Sequence, residues 1–213
     1  MEDLEIINLW KSYDKKLDEN LLLNRKNAED ITKIKVQSLL ASMKPLKIFS
    51  ILLGILWVGF VDVLIISSHS ANPFFLISAA IQVLLTKVAI VIYLYQLFLI
   101  HRVDISEPVL ATQVKLARLK SSTLLVTRLL FLQLPVWTTF YLNKGVFVNG
   151  NIGVYILQTV VTVSFTVLAV WLFLNIKYEN RDKKWFRLIF NGKEWTPVIR
   201  SMELLSQVEE YKL

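Results

Sequence analysis

Residues 48–67 read IFSILLGILWVGFVDVLIIS, twenty positions with one charge and no polar face. A helix of about 20 apolar residues is what a bilayer core demands, because no water is there to satisfy a bare backbone. An amphipathic helix of a soluble bundle would turn a polar stripe to solvent every three or four positions. This stretch has none. Three further stretches read the same way: residues 74–100, 123–142 (carrying Arg128 and Pro135) and 152–175, which is free of charge. The expected fold class is therefore all-α, a polytopic four-helix transmembrane bundle spanning residues 45–175. It carries a long N-terminal cytoplasmic helical arm at 1–44 and a small cytoplasmic tail at 176–213.

Charge placement sets the expected orientation. Lysine and arginine flank the apolar blocks at Lys44 and Lys47, at Arg102, Lys115, Arg118 and Lys120, and at Lys177, Arg181, Lys183, Lys184 and Arg187. The other two connections, 68–73 and 143–151, hold only Lys144. The positive-inside rule then puts both termini in the cytoplasm of a bacterial inner-membrane protein. Trp137, Tyr141 and Tyr155 are expected at the outer interface and Trp185 at the inner one. The net charge of +7 and pI near 9.5 suit anionic lipid headgroups better than nucleic acid, because the basic residues border apolar blocks rather than forming one stripe. The polar start, Met1 to Lys44, predicts no signal peptide.

Ionisable groups inside a span are functional candidates by default. Asp62, Lys87 and Arg128 are those groups here, with an Asp62–Lys87 pair between neighbouring helices as the structural alternative and Arg128 near enough to the inner face to snorkel. Gln82, Gln96, Gln133, Gln158, Thr159, Thr162 and Ser164 are expected to hydrogen-bond across helices.

The arm reads as helix until Pro45. Ile6, Trp10, Tyr13, Leu17, Asn20, Asn24, Asn27, Ile31 and Ile34 recur at alternating four- and three-residue steps, a heptad seam with asparagines at its centre. Leu21, Leu22 and Leu23 lie beside it. The arm is either one helix or two broken near Asn24, with Asn27-Ala-Glu-Asp30 as a fresh start. Trp10, Tyr13, Leu17 and Leu21 are the candidate partner-binding residues. A helix from Pro108 into the third span offers an apolar strip to receive the arm. Lys183-Lys-Trp-Phe-Arg-Leu-Ile-Phe190 suits the lipid interface, and Thr196-Pro197 opens a last helix with Val198, Met202, Leu205 and Val208 on one side.

Enzyme chemistry has no foothold. Cysteine is absent, His69 and His101 lie at opposite membrane faces, and no HExxH, GxSxG, Walker or dinucleotide motif occurs. No catalytic residue, metal site or cofactor is expected, and the chain shows no internal repeat of the transporter kind.

Leu9-Trp10-Lys-Ser-Tyr13-Asp-Lys-Lys-Leu17, with Ile31-Thr-Lys-Ile-Lys-Val36 and Met43-Lys-Pro45, resembles small four-span inner-membrane proteins of Bacteroidota that often sit beside a sigma-factor gene. The resemblance covers the arm and first span and rests on no catalytic motif. It implies an anchor whose arm holds a regulatory protein, in the manner of an anti-sigma factor. The expected function is thus a membrane-anchored regulatory or scaffolding protein acting by protein–protein contact through its coiled-coil-like arm. The alternative is an oligomeric pore or effector that permeabilises the inner membrane. Expected partners are the lipid bilayer, a cytoplasmic protein and, in the pore reading, further copies of the chain.

Overall fold

The structure, a computed structural model, describes residues 2–67, 72–103, 107–142, 151–192 and 194–210. Among these every regular element is a helix. α1 runs from Glu2 to Ala41, α2 from Lys44 to Ser67, α3 from Pro73 to His101, α4 from Val109 to Phe131, α5 from Leu134 to Thr139 and α6 from Ile152 to Asn175. A short 3-10 turn at Tyr178–Asn180 leads to α7 (Lys184–Phe190) and α8 (Thr196–Glu210).

Two prolines place two of the breaks between helices. A proline has no N–H for the carbonyl four residues back, and its ring crowds that carbonyl. Pro45 accordingly follows the last residue of α1, Ala41, by four positions, and Pro135 follows the last residue of α4, Phe131, by the same distance. At each break one hydrogen bond tightens to the three-residue kind: Met43 N to Leu40 O at 3.1 Å and Gln133 N to Leu130 O at 3.3 Å. The stretch 123–142 is thus not one helix, as expected, but the end of α4 followed by the six-residue α5. The arm is a single uninterrupted helix of 40 residues, about 60 Å long, and does not restart at Asn27.

Three helical runs are long and apolar enough to cross a membrane: one within Glu5–Ser67, then Pro73–His101 and Ile152–Asn175. Of their most apolar windows only 17%, 28% and 11% is buried inside the protein. Water would not tolerate that much outward apolar surface, whereas lipid chains would.

Two asparagines start membrane-length helices. Asn72 accepts from Phe74 N at 3.3 Å, and Asn151 from Gly153 N at 3.0 Å, each satisfying a donor that the first turn leaves free. The Asn72 amide also donates to Leu142 O, tying the start of α3 to the chain just past α5.

α2 lies along α3, α3 packs on α4 and α5, and α6 packs on α5 and α4. α8 lies against both α1 and α4. At this end of the bundle Val36, Leu40 and Met43 of the arm share a core with Leu99, Val109, Leu116, Leu119, Val198 and Leu205. The strip on α4 therefore holds α8 as well as the arm, while Leu110 and Val114 of the same helix point outward. A second core joins Leu172 and Ile176 to Phe186, Phe190 and Trp195. The 183–190 segment thus turns its phenylalanines inward, where they stack on each other at 4.2 Å, and leaves Leu188 outside. Three aromatic rings closing on one another bury more apolar area together than each would gain singly at an interface.

Candidate functional site

Two features stand out from packing alone, the outer half of the arm and a polar seam inside the bundle. From Glu5 to Ala28 every side chain of α1 is exposed. Trp10 is 72% exposed, Tyr13 63%, Leu17 57% and Leu21 58%, so the four candidate partner-binding residues share an open apolar face. Further along, the arm docks through Val36, Leu40 and Met43, while Ile31 and Ile34 remain outside. Positions 34 and 36 are about 200° apart around a helix. The heptad seam consequently faces away from the docked side, even where the arm is held. A notch of about 480 Å³ opens where α1 and α8 diverge, with Leu21, Ala28 and Thr32 on one wall and Leu204 and Val208 on the other.

The seam belongs to α3. Ser78, Gln82, Thr86, Tyr93 and Gln96 are all at least nine-tenths buried. At 100° per residue they fall within an arc of about 80°, one stripe down the inward face. Near one end Ser78 and Thr139 pair their hydroxyls at 2.9 Å. In the middle the Gln133 amide donates to Thr86 Oγ1 at 3.3 Å, and that hydroxyl donates onward to Gln82 O at 2.8 Å. At the arm end the fully buried Lys47 ammonium donates to Gln96 Oε1 and stands 5.1 Å over the Tyr93 ring. The carboxylate of Glu194, which the turn before α8 brings in, stands close to the Tyr93 hydroxyl. Beside this cluster Lys120 lies 3.8 Å over the Tyr178 ring, and burial, then the charge of Arg181, hold its ammonium below the usual lysine value. A smaller polar set joins α5 to α6, with Gln158 donating to Thr138 O at 2.6 Å and Thr138 donating to Thr162 Oγ1 at 3.1 Å.

Of the three intramembrane candidates, two are brought together and Arg128 stands apart. Asp62 and Lys87 form an ion pair at 3.6 Å, but their side chains are 42% and 56% exposed, on the outside of the α2–α3 pair. Arg128 is elsewhere: its Nε donates to Ile176 O at 2.7 Å, closing the end of α6 where the helix leaves its carbonyls free. Lys47 and Glu194 escaped sequence reasoning. Lys47 reads as one more basic residue flanking a span, and Glu194 lies about 150 positions away in the tail. The recurrence of Ser78, Gln82, Thr86, Tyr93 and Gln96 at helical spacing was the available signal, hidden by the apolar residues between them. Among the described residues no cluster of three metal-ligating side chains occurs.

Compared with family models, with curated proteins and with solved structures, the chain matches none.

Proposed function

We propose that this protein is a four-span inner-membrane anchor, with both ends in the cytoplasm, that acts by gripping a cytoplasmic protein along its N-terminal arm. The observation that carries this reading is the open face of Trp10, Tyr13, Leu17 and Leu21 on a helix already fixed at its other end by Val36, Leu40 and Met43. Exposed aromatic and aliphatic side chains in one row cost solubility unless a partner covers them. Docking one end of the arm also reduces the freedom lost when the other end binds. A sigma factor is the specific partner expected, on the resemblance of the Leu9–Leu17 and Ile31–Val36 patterns. The test places a photo-crosslinking amino acid at Tyr13 of the full chain in its native membranes. One cytosolic protein trapped in high yield, and lost in Trp10→Ala/Leu17→Ala, supports the reading; a sigma factor in that band supports its specific form. Adducts to lipid alone, or a scatter unaffected by those substitutions, remove it.

The outward ion pair of Asp62 and Lys87 favours a second reading, an oligomeric pore in which neighbouring copies cover those charges. A pair left in hydrocarbon is costly, and a neighbouring copy would relieve it. Against a pore through the single chain, most of the α3 stripe is engaged in hydrogen bonds within the bundle. Absence of conductance in liposomes carrying the purified chain at several copies each would discard it.

A further inference from the structure

Between α2, α3, α4 and α5 lies an open-sided crevice of about 380 Å³, and two of its walls, α2 and α3, are long and apolar enough to cross a bilayer. Its walls are mainly apolar, with Trp57 and Trp137 lying 5.7 Å apart across ring centroids on one side. Its polar residues are Ser50, Gln82, Thr86, Tyr93 and Gln133. Gln82 lies ten residues into α3, about 14 Å from the start of that helix. The side chain is 1% exposed and its Oε1 accepts no hydrogen bond, while the Thr86 hydroxyl beside it already donates to the Gln82 carbonyl. An amide oxygen buried without a donor is unfavourable anywhere, and more so where lipid replaces water. The terminal torsion of glutamine is soft, so turning the amide offers that oxygen to the crevice.

We propose that this crevice is a binding site for a membrane-dissolved alcohol, a molecule with an apolar chain and one hydroxyl, whose hydroxyl donates to Gln82. The shape and the chemistry agree. Tryptophan and aliphatic walls take the chain, the open side lets it enter from the bilayer, and the unused acceptor needs one donor. A lipid with a free hydroxyl and a free long-chain alcohol share that chemistry. This inference does not depend on the arm and holds whether or not the arm has a partner.

The probe is 11-bromoundecan-1-ol, compared with its methyl ether, added to the full chain in nanodiscs of saturated phosphatidylcholine. Bromine quenches indole fluorescence on contact. The alcohol should quench saturably with a midpoint about tenfold below that of the ether, the worth of one hydrogen bond to a buried acceptor. The saturable part should vanish in Trp57→Phe/Trp137→Phe, and Gln82→Met should bring the alcohol to the ether's midpoint. Equal midpoints in the unsubstituted protein overturn the proposal, as does saturable quenching that survives loss of both tryptophans. Repeating the titration with a brominated diacylglycerol distinguishes a lipid source from a free alcohol. If Gln82→Met fails to fold, the alcohol–ether comparison on the unsubstituted protein decides alone.

Discussion

Gly54 and Gly59 differ by five positions on α2 and by everything around them. A Cβ at Gly54 would meet Ile90 Cγ1 at 3.1 Å and Cδ1 at 3.2 Å, whereas one at Gly59 would meet nothing within 4 Å. Gly54→Val should therefore cost about 1–3 kcal/mol by forcing α2 and α3 apart. Gly59→Ala should be neutral or stabilise by up to about 1 kcal/mol through helix propensity. Unfolding titrations of both variants in mixed micelles check the contrast, and equal losses would contradict the packing of α2 on α3. Lys47 and Glu194 give a second case. Lys47 is wholly buried beside Tyr93 and Gln96, with Glu194 as the nearby negative charge. Glu194→Gln should cost about 1–3 kcal/mol, and Lys47→Met a comparable amount, because each leaves a partner uncompensated. The double variant should lose less than the sum. Strict additivity in that cycle would show that the two charges do not sense each other.

α8 shows how an element reads correctly in sequence yet finds its place only through neighbours. Thr196-Pro197 and the spacing of Val198, Met202, Leu205 and Val208 mark its start and inward side, and the helix does begin at Thr196 with Val198 and Leu205 fully buried. What covers that side, α1 and α4, carries no local mark. Leu205→Ala should cost about 2–4 kcal/mol. Hydrogen exchange should speed up in α8 and in the inner part of α1 while α3 stays protected; faster exchange throughout would mean the cap is not a separate unit. The outer arm behaves oppositely. Trp10→Ala/Leu17→Ala should leave stability within about 0.5 kcal/mol, since both side chains are already exposed. A large fall in the melting temperature would place the arm against its own protein. The third expected span is the element that the structure divides in two. Its composition suits a crossing helix, but Pro135 ends α4 four residues earlier and starts α5 in its place.

The chain as a whole is a set of helices that turn most of their apolar surface outward, capped at one end by the docked half of the arm, α7 and α8. That arrangement makes a definite topological expectation. The chain has no cysteine of its own, so single replacements report cleanly. If both termini are cytoplasmic, as proposed, Tyr141→Cys, at a residue 78% exposed, should react with an impermeant maleimide in intact spheroplasts. Ser38→Cys, on the exposed side of the arm, should react only after permeabilisation. Labelling of both from the same side would end the four-span reading.

Long apolar runs oblige a chain to satisfy its backbone by helix formation, so the all-helical class and the membrane-length stretches were legible from composition and order. The helix start at Thr196-Pro197 was equally local, because capping involves only the first turn, whereas the caps at Asn72 and Asn151 emerged from the structure. Which faces meet was not local. The arm's heptad pattern suggested a packing seam, yet Val36, Leu40 and Met43 dock on the opposite side. Asp62 and Lys87 came together but on the outside, and the buried lysine turned out to be Lys47, matched by a glutamate from the far tail. Side-chain periodicity fixes what one helix can offer, whereas the choice among offers depends on shape and charge contributed by distant segments. No single stretch contains that information.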